Sequence, residues 1–263
     1  QKDGSGRGRG SLKLRLQNTF LLFPGIGEKT ETQLWKKGTN TWDDLTSELS
    51  GKRLSKVKDV LPKARKNLEV GNTQFFNSQL PGSENWRLYR DFDDTTCFFD
   101  IETTGLSPDN SVVTTASFHQ GGETTTLVRD RDLTEENIQK QVFDSDLLVT
   151  FNGKRFDVPF LEKRFDIDIT TPHLDLMYPC RSLDLTGGLK KIEKELDVTR
   201  ELEDLDGREA IRLWKQYQRG NQQALEKLVK YNRYDAVNLK EITEDIHQRL
   251  DKRRYRKHVS TDA

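Results

Sequence analysis

The apolar run Cys97-Phe98-Phe99 passes into two acids spaced two residues apart in Asp100-Ile101-Glu102-Thr103-Thr104-Gly105, and a strand, whose side chains point to opposite faces in turn, is its natural reading. Asp100 and Glu102 then project from one side, and Phe99 and Ile101 from the other, toward a core. Two β-rich runs follow, over 112–119 and 124–129, and Gly121-Gly122 between them predicts a tight hairpin. A helix is expected over 134–143, an apolar strand over 147–151, and a helix from Asp157 to Phe165. A strand around 174–177 and several helices between Leu189 and Leu250 complete the pattern. This order, beginning near Asp94, predicts an α/β domain in which a mixed sheet carries helices on both faces.

The preceding residues are patterned differently. Phe23-Pro24-Gly25-Ile26-Gly27-Glu28-Lys29-Thr30 leads into a helical periodicity through Leu34 and Trp35 that stops near Gly38. Thr41 opens a short helix, with Asp44 spaced to complete a capping box and Trp42 and Leu45 on its apolar face. A basic helical stretch from Ser55 to Leu80 is expected to break near Pro62 and Gly71 before the loop 81–85. The Gly25-Ile26-Gly27 turn ahead of Lys29 would present backbone N–H groups with little steric cover, as an approaching anion requires. It resembles the hairpin of helix-hairpin-helix modules, which grip nucleic-acid phosphates; a structural turn or a protein contact would use the same residues. The expected division is a disordered basic Gly/Arg-rich tail over 1–14, a helical helix-hairpin-helix-like module and linker over 15–90, the α/β domain over 91–250, and a basic C-terminal tail over 251–263.

Composition narrows the class. No apolar run approaches the roughly 18 residues of a membrane span, and no signal peptide is evident, so a soluble, cytoplasmic protein without a membrane partner is expected. Cys97 and Cys180 lack metal-ligand spacing and lie in apolar surroundings, which favours buried free thiols. A third of the residues are charged, with zero net charge overall. The balance hides a partition: residues 1–90 carry a net +8, residues 91–246 a net −12 and residues 247–263 a net +4. An acidic body flanked by basic arms suits a protein that collects cations at its centre and holds a polyanion beside them.

The acids supply the chemistry. Two carboxylates on one strand form only part of the oxygen shell that Mg²⁺ or Mn²⁺ requires. Candidates for the remainder are Asp157, in Phe151-Asn152-Gly153-Lys154-Arg155-Phe156-Asp157, and Asp235, in Tyr231-Asn232-Arg233-Tyr234-Asp235. Taken alone, Asp157 also fits a helix start and Tyr231 and Asp235 an ordinary amphipathic helix. Together, and in this order, the three fragments resemble the three motifs of the DEDD exonucleases, whose fold is ribonuclease-H-like. Tyr231, four residues before Asp235 and so on the same helix face, marks the tyrosine subclass. Trp86-Arg87-Leu88-Tyr89, Phe99 to Leu106, His173-Leu174-Asp175-Leu176 and Gly188-Leu189-Lys190 extend the resemblance to the YprB-like branch, over nearly all of residues 15–250. Many bacterial members of that branch have His where this chain has Tyr231.

The resemblance implies a metal-dependent 3′-to-5′ exonuclease that releases nucleoside 5′-monophosphates from single-stranded ends, with DNA the expected substrate. Two ions roughly 4 Å apart would activate water and neutralise charge at phosphorus. Asp100, Glu102, Asp157 and Asp235 are the expected ligands, with Asp100 bridging. Tyr231, with an ordinary pKa near 10, is a poor base and is expected to orient the attacking water. Thr103, Leu106, Asn152 and Phe156 fall where relatives contact the terminal nucleotide, although apolar residues there also suit a core. Asp175 could support the acids from behind or act as a cap. A ribonuclease trimming RNA 3′ ends is the alternative enzyme, and a nucleic-acid-binding adaptor with a vestigial site is the alternative outside catalysis; protein partners are not indicated.

Overall fold

The computed structural model describes residues 13–199 and 205–259. Residues 1–12, and with them nearly all of the expected disordered tail, lie outside the described residues; Leu14, at its end, is buried. Four helices come first: α1 (Glu28–Lys36), α2 (Trp42–Glu48), α3 (Gly51–Glu69) and α4 (Thr73–Gln79). A 3₁₀ segment, Gly82–Asp91, replaces the loop expected at 81–85 because its side chains are claimed by the interior: Trp86, Arg87, Leu88 and Tyr89 are all buried. The α/β part then runs β1 (Thr96–Thr103), β2 (Val113–Gln120), β3 (Glu123–Val128), α5 (Glu135–Phe143), β4 (Leu147–Thr150), α6 (Asp157–Phe165), β5 (His173–Asp175), α7 (Met177–Ser182), α8 (Leu189–Glu195), α9 (Gly207–Gln218) and α10 (Gln222–Asp251).

The sheet order is β3-β2-β1-β4-β5. β1, β2 and β3 pair antiparallel, whereas β4 and β5 continue parallel to β1. The β2–β3 turn has Gly121 and Gly122 at φ +59° and +84°, the left-handed pair that a two-residue hairpin matched to strand twist needs. Helix starts also follow local chemistry. Thr41 and Asp44 form the reciprocal capping box, and Thr134 and Asn221 cap α5 and α10 through their side chains.

Phe99 and Ile101 of β1 pack with Phe118, Ile138, Val142 and Phe160 on one face of the sheet. Phe98 looks the other way, into a core that includes Leu239, Ile242 and Ile246 of α10. Asp100 and Glu102 share the Phe98 face, so they emerge where the cover of α10 changes from aliphatic to polar.

Two expectations need correction. Pro62 does not break α3: it is exposed, and the helix is held by Val57, Leu61 and Ala64 buried on the opposite face, so the carbonyl that proline leaves unbonded can face water. The stretch after Asp251 is not a loose tail. It forms a π-helical turn, Lys252–Arg256, whose Tyr255 is buried against Trp35 with ring centroids 5.1 Å apart. Its basic side chains find acids: Arg256 bonds Asp251 at 2.7 Å and Arg254 bonds Glu28 at 3.0 Å. Residues 260–263 lie outside the described residues. One core runs from Leu14 through Leu80 and on to Phe98, Val149 and Leu250, joining the N-terminal helices to the sheet. Both cysteines are buried and free, and among the described residues no helix is long and apolar enough to cross a membrane.

Candidate functional site

β1 delivers two of the acids and α10 the third. Ligand oxygens of Asp100, Glu102 and Asp235 all lie within 4.8 Å of one another. Asp100 pairs across the sheet with Ser117 and Glu102 with Thr115, and the register shifts immediately after Glu102. Such an irregularity re-aims the side chains beside it. Asp235 sits one turn beyond Tyr231 on α10, and both side chains are buried.

Asp157 meets β1 by another route. As the first residue of α6 it is buried, and its Oδ1 accepts the N–H of Ile101 at 3.1 Å. It lines the same cleft as Asp100, Glu102, Tyr231 and Asp235, a space of about 490 Å³, but it lies outside the cluster that the other three form. Burial, with Asp175 and Asp235 nearby, pushes its carboxyl up to about 7, against the pull of its backbone hydrogen bonds. Asp100 is also held well above the usual carboxylate range, by burial and then by Asp235, Asp157 and Glu102. Burial and the mutual repulsion of these acids thus disfavour the ionised form of Asp100.

The turn that brings in Asp157 is built from Asn152 and Gly153. Asn152 adopts φ +64°, a region that Asn tolerates better than most residues. A Cβ on Gly153 would lie 2.6 Å from Thr150 Cβ, so a larger residue does not fit. Asp175, at the end of β5, accepts the N–H groups of Asn152 at 2.7 Å, Lys154 at 3.2 Å and Met177 at 3.1 Å. Its place is thus as a clamp on this turn, not as a member of the acid cluster.

The expected nucleotide contacts divide by location. Asn152 and Phe156 line the cleft, and Thr103, Leu106 and Phe156 line an adjoining pocket of about 550 Å³. Leu106 is 88% exposed at its rim, and the Thr103 hydroxyl donates to the Gly105 carbonyl at 2.6 Å. Gly25, Gly27 and Lys29 are exposed at the start of α1 and line neither space. Gly25 has φ +88° and Gly27 is the N-cap of α1.

Two residues that sequence reasoning gave no role stand in the site. Asn232 is fully buried; its Nδ2 donates to Asp100 Oδ2 at 2.8 Å and to the Asp100 carbonyl at 3.1 Å, while its Oδ1 accepts from Ser117 Oγ at 2.9 Å. Its position three residues before Asp235 was the available signal, since that spacing puts both on one helix face. Lys190, at the start of α8, lines the cleft and holds its ammonium 5.3 Å from the Tyr231 ring centroid.

The family model RNase_H_2, described as RNase_H superfamily, matches residues 97–247. No curated protein matches the chain. Among solved structures, Brucella melitensis NrnC is 21% identical, with a TM-score of 0.48, over 64% of this chain and 80% of its own. NrnC with bound Mg²⁺ is 22% identical over the same shares, also with a TM-score of 0.48. The family B DNA polymerase from the hyperthermophilic archaeon Pyrobaculum calidifontis is 16% identical, with a TM-score of 0.45, over 59% of this chain and 24% of the polymerase.

Proposed function

The chain belongs to the RNase_H superfamily, and from that premise we propose that it is a metal-dependent 3′-to-5′ exonuclease of the DEDD type, tyrosine subclass. It would hydrolyse phosphodiester bonds at single-stranded ends, of DNA first, and release nucleoside 5′-monophosphates. The observation that carries this reading is the convergence of Asp100, Glu102 and Asp235 within 4.8 Å.

The donor set fits hard divalent cations. It is made of carboxylate oxygens, drawn from a strand and a helix that hold them firmly. Asp100, whose carboxyl is held above its usual range by burial and then by its acidic neighbours, would gain from a cation beside it. Asp100, Glu102 and Asp235 would hold Mg²⁺ or Mn²⁺, with Asp157 completing a two-ion site from the α6 side. Bound there, the ions would supply charge neutralisation and a more acidic water.

The other residues position the substrate. Asn232 fixes the Asp100 carboxylate through two hydrogen bonds and is itself held by Ser117. The Tyr231 phenol orients the water, and Lys190 beside it offers a positive charge to phosphate oxygens. Leu106 and Phe156 give the terminal base apolar surface to lie against, next to Asn152 and Thr103. The 3′-to-5′ direction rests on the resemblance to the DEDD exonucleases alone.

Oligonucleotides of DNA and RNA labelled at the 5′ end, incubated with Mg²⁺, Mn²⁺ or EDTA, test the reading. The expected result is a ladder shortening from the 3′ end, absent with EDTA and with Asp100→Asn. Equal activity in Asp100→Asn would overturn the site. A DNA ladder without an RNA ladder supports the stated preference, the reverse makes the protein an RNA trimmer, and binding without cleavage makes it an adaptor.

A further inference from the structure

Helix α3 carries a row of cations that the site does not explain. Lys52, Lys56, Lys63 and Lys66 are exposed, and their spacing of four, seven and three residues puts them on one face. The row is roughly 21 Å long at 1.5 Å per residue. The opposite face holds Val57, Leu61 and Ala64, all buried in the core. The helix has therefore already spent its apolar side, and what remains is a polar surface unsuited to membrane insertion or to hydrophobic docking.

Among the described residues, no ion pair engages Lys52, Lys56, Lys63 or Lys66, whereas Arg65 on the flank is paired with Asp43. Arg53 and Lys58 add exposed positive charge on either side. Asp59 is the one acid within the row, about one turn from both Lys56 and Lys63.

We propose that this face of α3 binds the phosphate backbone of the nucleic-acid strand whose end occupies the acidic cleft. The inference rests on the nuclease reading above and adds to it a second contact, distant from the chemistry. The row lines neither the acidic cleft nor the pocket beside it, so a strand seated in the cleft reaches α3 only when it is long enough to run beyond both, and the contact is blind to sequence because it touches only phosphates.

Fluorescence anisotropy on the full chain in EDTA, with 5′-fluorescein-labelled dT20 and dT4, tests the proposal. Replacing all four lysines by Gln should weaken dT20 binding at least tenfold. It should also flatten the dependence of log affinity on log salt by about 2.8, at about 0.7 per lost single-strand contact, while dT4 binding and cleavage stay within twofold of the parent. Asp59→Asn should tighten dT20 binding at least twofold, a gain that misfolding cannot mimic. Replacing Lys140, Lys215 and Lys227, exposed elsewhere, should change dT20 binding by less than twofold. An unchanged dT20 affinity and salt slope in the quadruple variant, an equal loss in the control, or an equal loss for dT4 would overturn the α3 assignment. If the parent cleaves dT20 under those outcomes, only the α3 surface fails; if the parent neither binds nor cleaves it, the nuclease reading falls as well.

Discussion

Asn232 shows how a neutral side chain sets the geometry of an acidic site. Held by Ser117 and donating twice to Asp100, it keeps that carboxylate aimed into the cleft. Asn232→Ala should lower both apparent metal affinity and cleavage rate by about 10- to 100-fold, the usual cost of losing a group that orients a metal ligand; metal titrations of activity would read both. Asp100→Asn should lower the rate further, by about 10³-fold or more, because it removes charge as well as aim. Gly153 makes a steric prediction. Gly153→Ala drives a methyl into Thr150, so it should destabilise the protein by about 1–3 kcal/mol and displace the turn before Asp157, visible as a lower urea midpoint. The facing of Asp100 and Glu102 was legible in the sequence because a strand's period of two is strict. The clamp made by Asp175 was not, since it depends on where β5 ends beside the Asn152 turn.

α10 does more than any other element. Its buried stripe passes from Tyr231, Asn232 and Asp235 in the site to Leu239, Ile242 and Ile246 over the sheet, and then to His247 among the N-terminal aromatics. His247 packs against Trp86 at 5.3 Å and Tyr89 at 6.1 Å. Burial, with Arg90, Lys13, Arg256 and Arg15 around it, brings its pKa down to about 3. The folded value lies below the unfolded one, near 6.5, so the unfolded chain takes up the proton first as pH falls. The contribution is complete above about pH 6.5 and is lost progressively toward pH 3, at no more than about 1.4 kcal/mol per pH unit. Urea midpoints measured from pH 7.5 to 5 should therefore fall less steeply for His247→Phe than for the parent; parallel profiles would contradict this. Local rules foresaw the elements with strong chemical punctuation, such as the Gly121-Gly122 hairpin and the Thr41 cap. They failed where packing decides: Pro62 is carried by the buried side of α3, and Tyr255 is ordered by Trp35, 220 residues earlier in the chain.

Across the whole molecule, one core joins the N-terminal helices to the sheet, and a buried ion cluster ties α1 to the 82–91 segment that precedes β1. Arg87 meets Glu31 through two hydrogen bonds of 3.0 Å and Glu84 through one of 2.7 Å, and all three side chains are buried. Glu31 also accepts the N–H of Phe20 at 2.6 Å. Glu31→Gln keeps Arg87 paired with Glu84 but turns one buried acceptor into a donor that faces the N–H groups of Phe20, Leu21 or Arg87, so it should cost about 1–3 kcal/mol and loosen the N-terminal helices, read as faster proteolysis there than in the sheet. The charge partition along the chain was plain in the sequence, but the seating of the basic C-terminal stretch on acidic partners needed the fold. Whether the acidic cleft seats a pair of divalent ions can be read by titrating Mn²⁺ into the metal-free full chain by calorimetry, in two buffers of different ionisation enthalpy. Two ions should bind per chain with protons released on binding, and Asp100→Asn should lose both. No binding, or binding that Asp100→Asn leaves intact, would contradict the two-ion site.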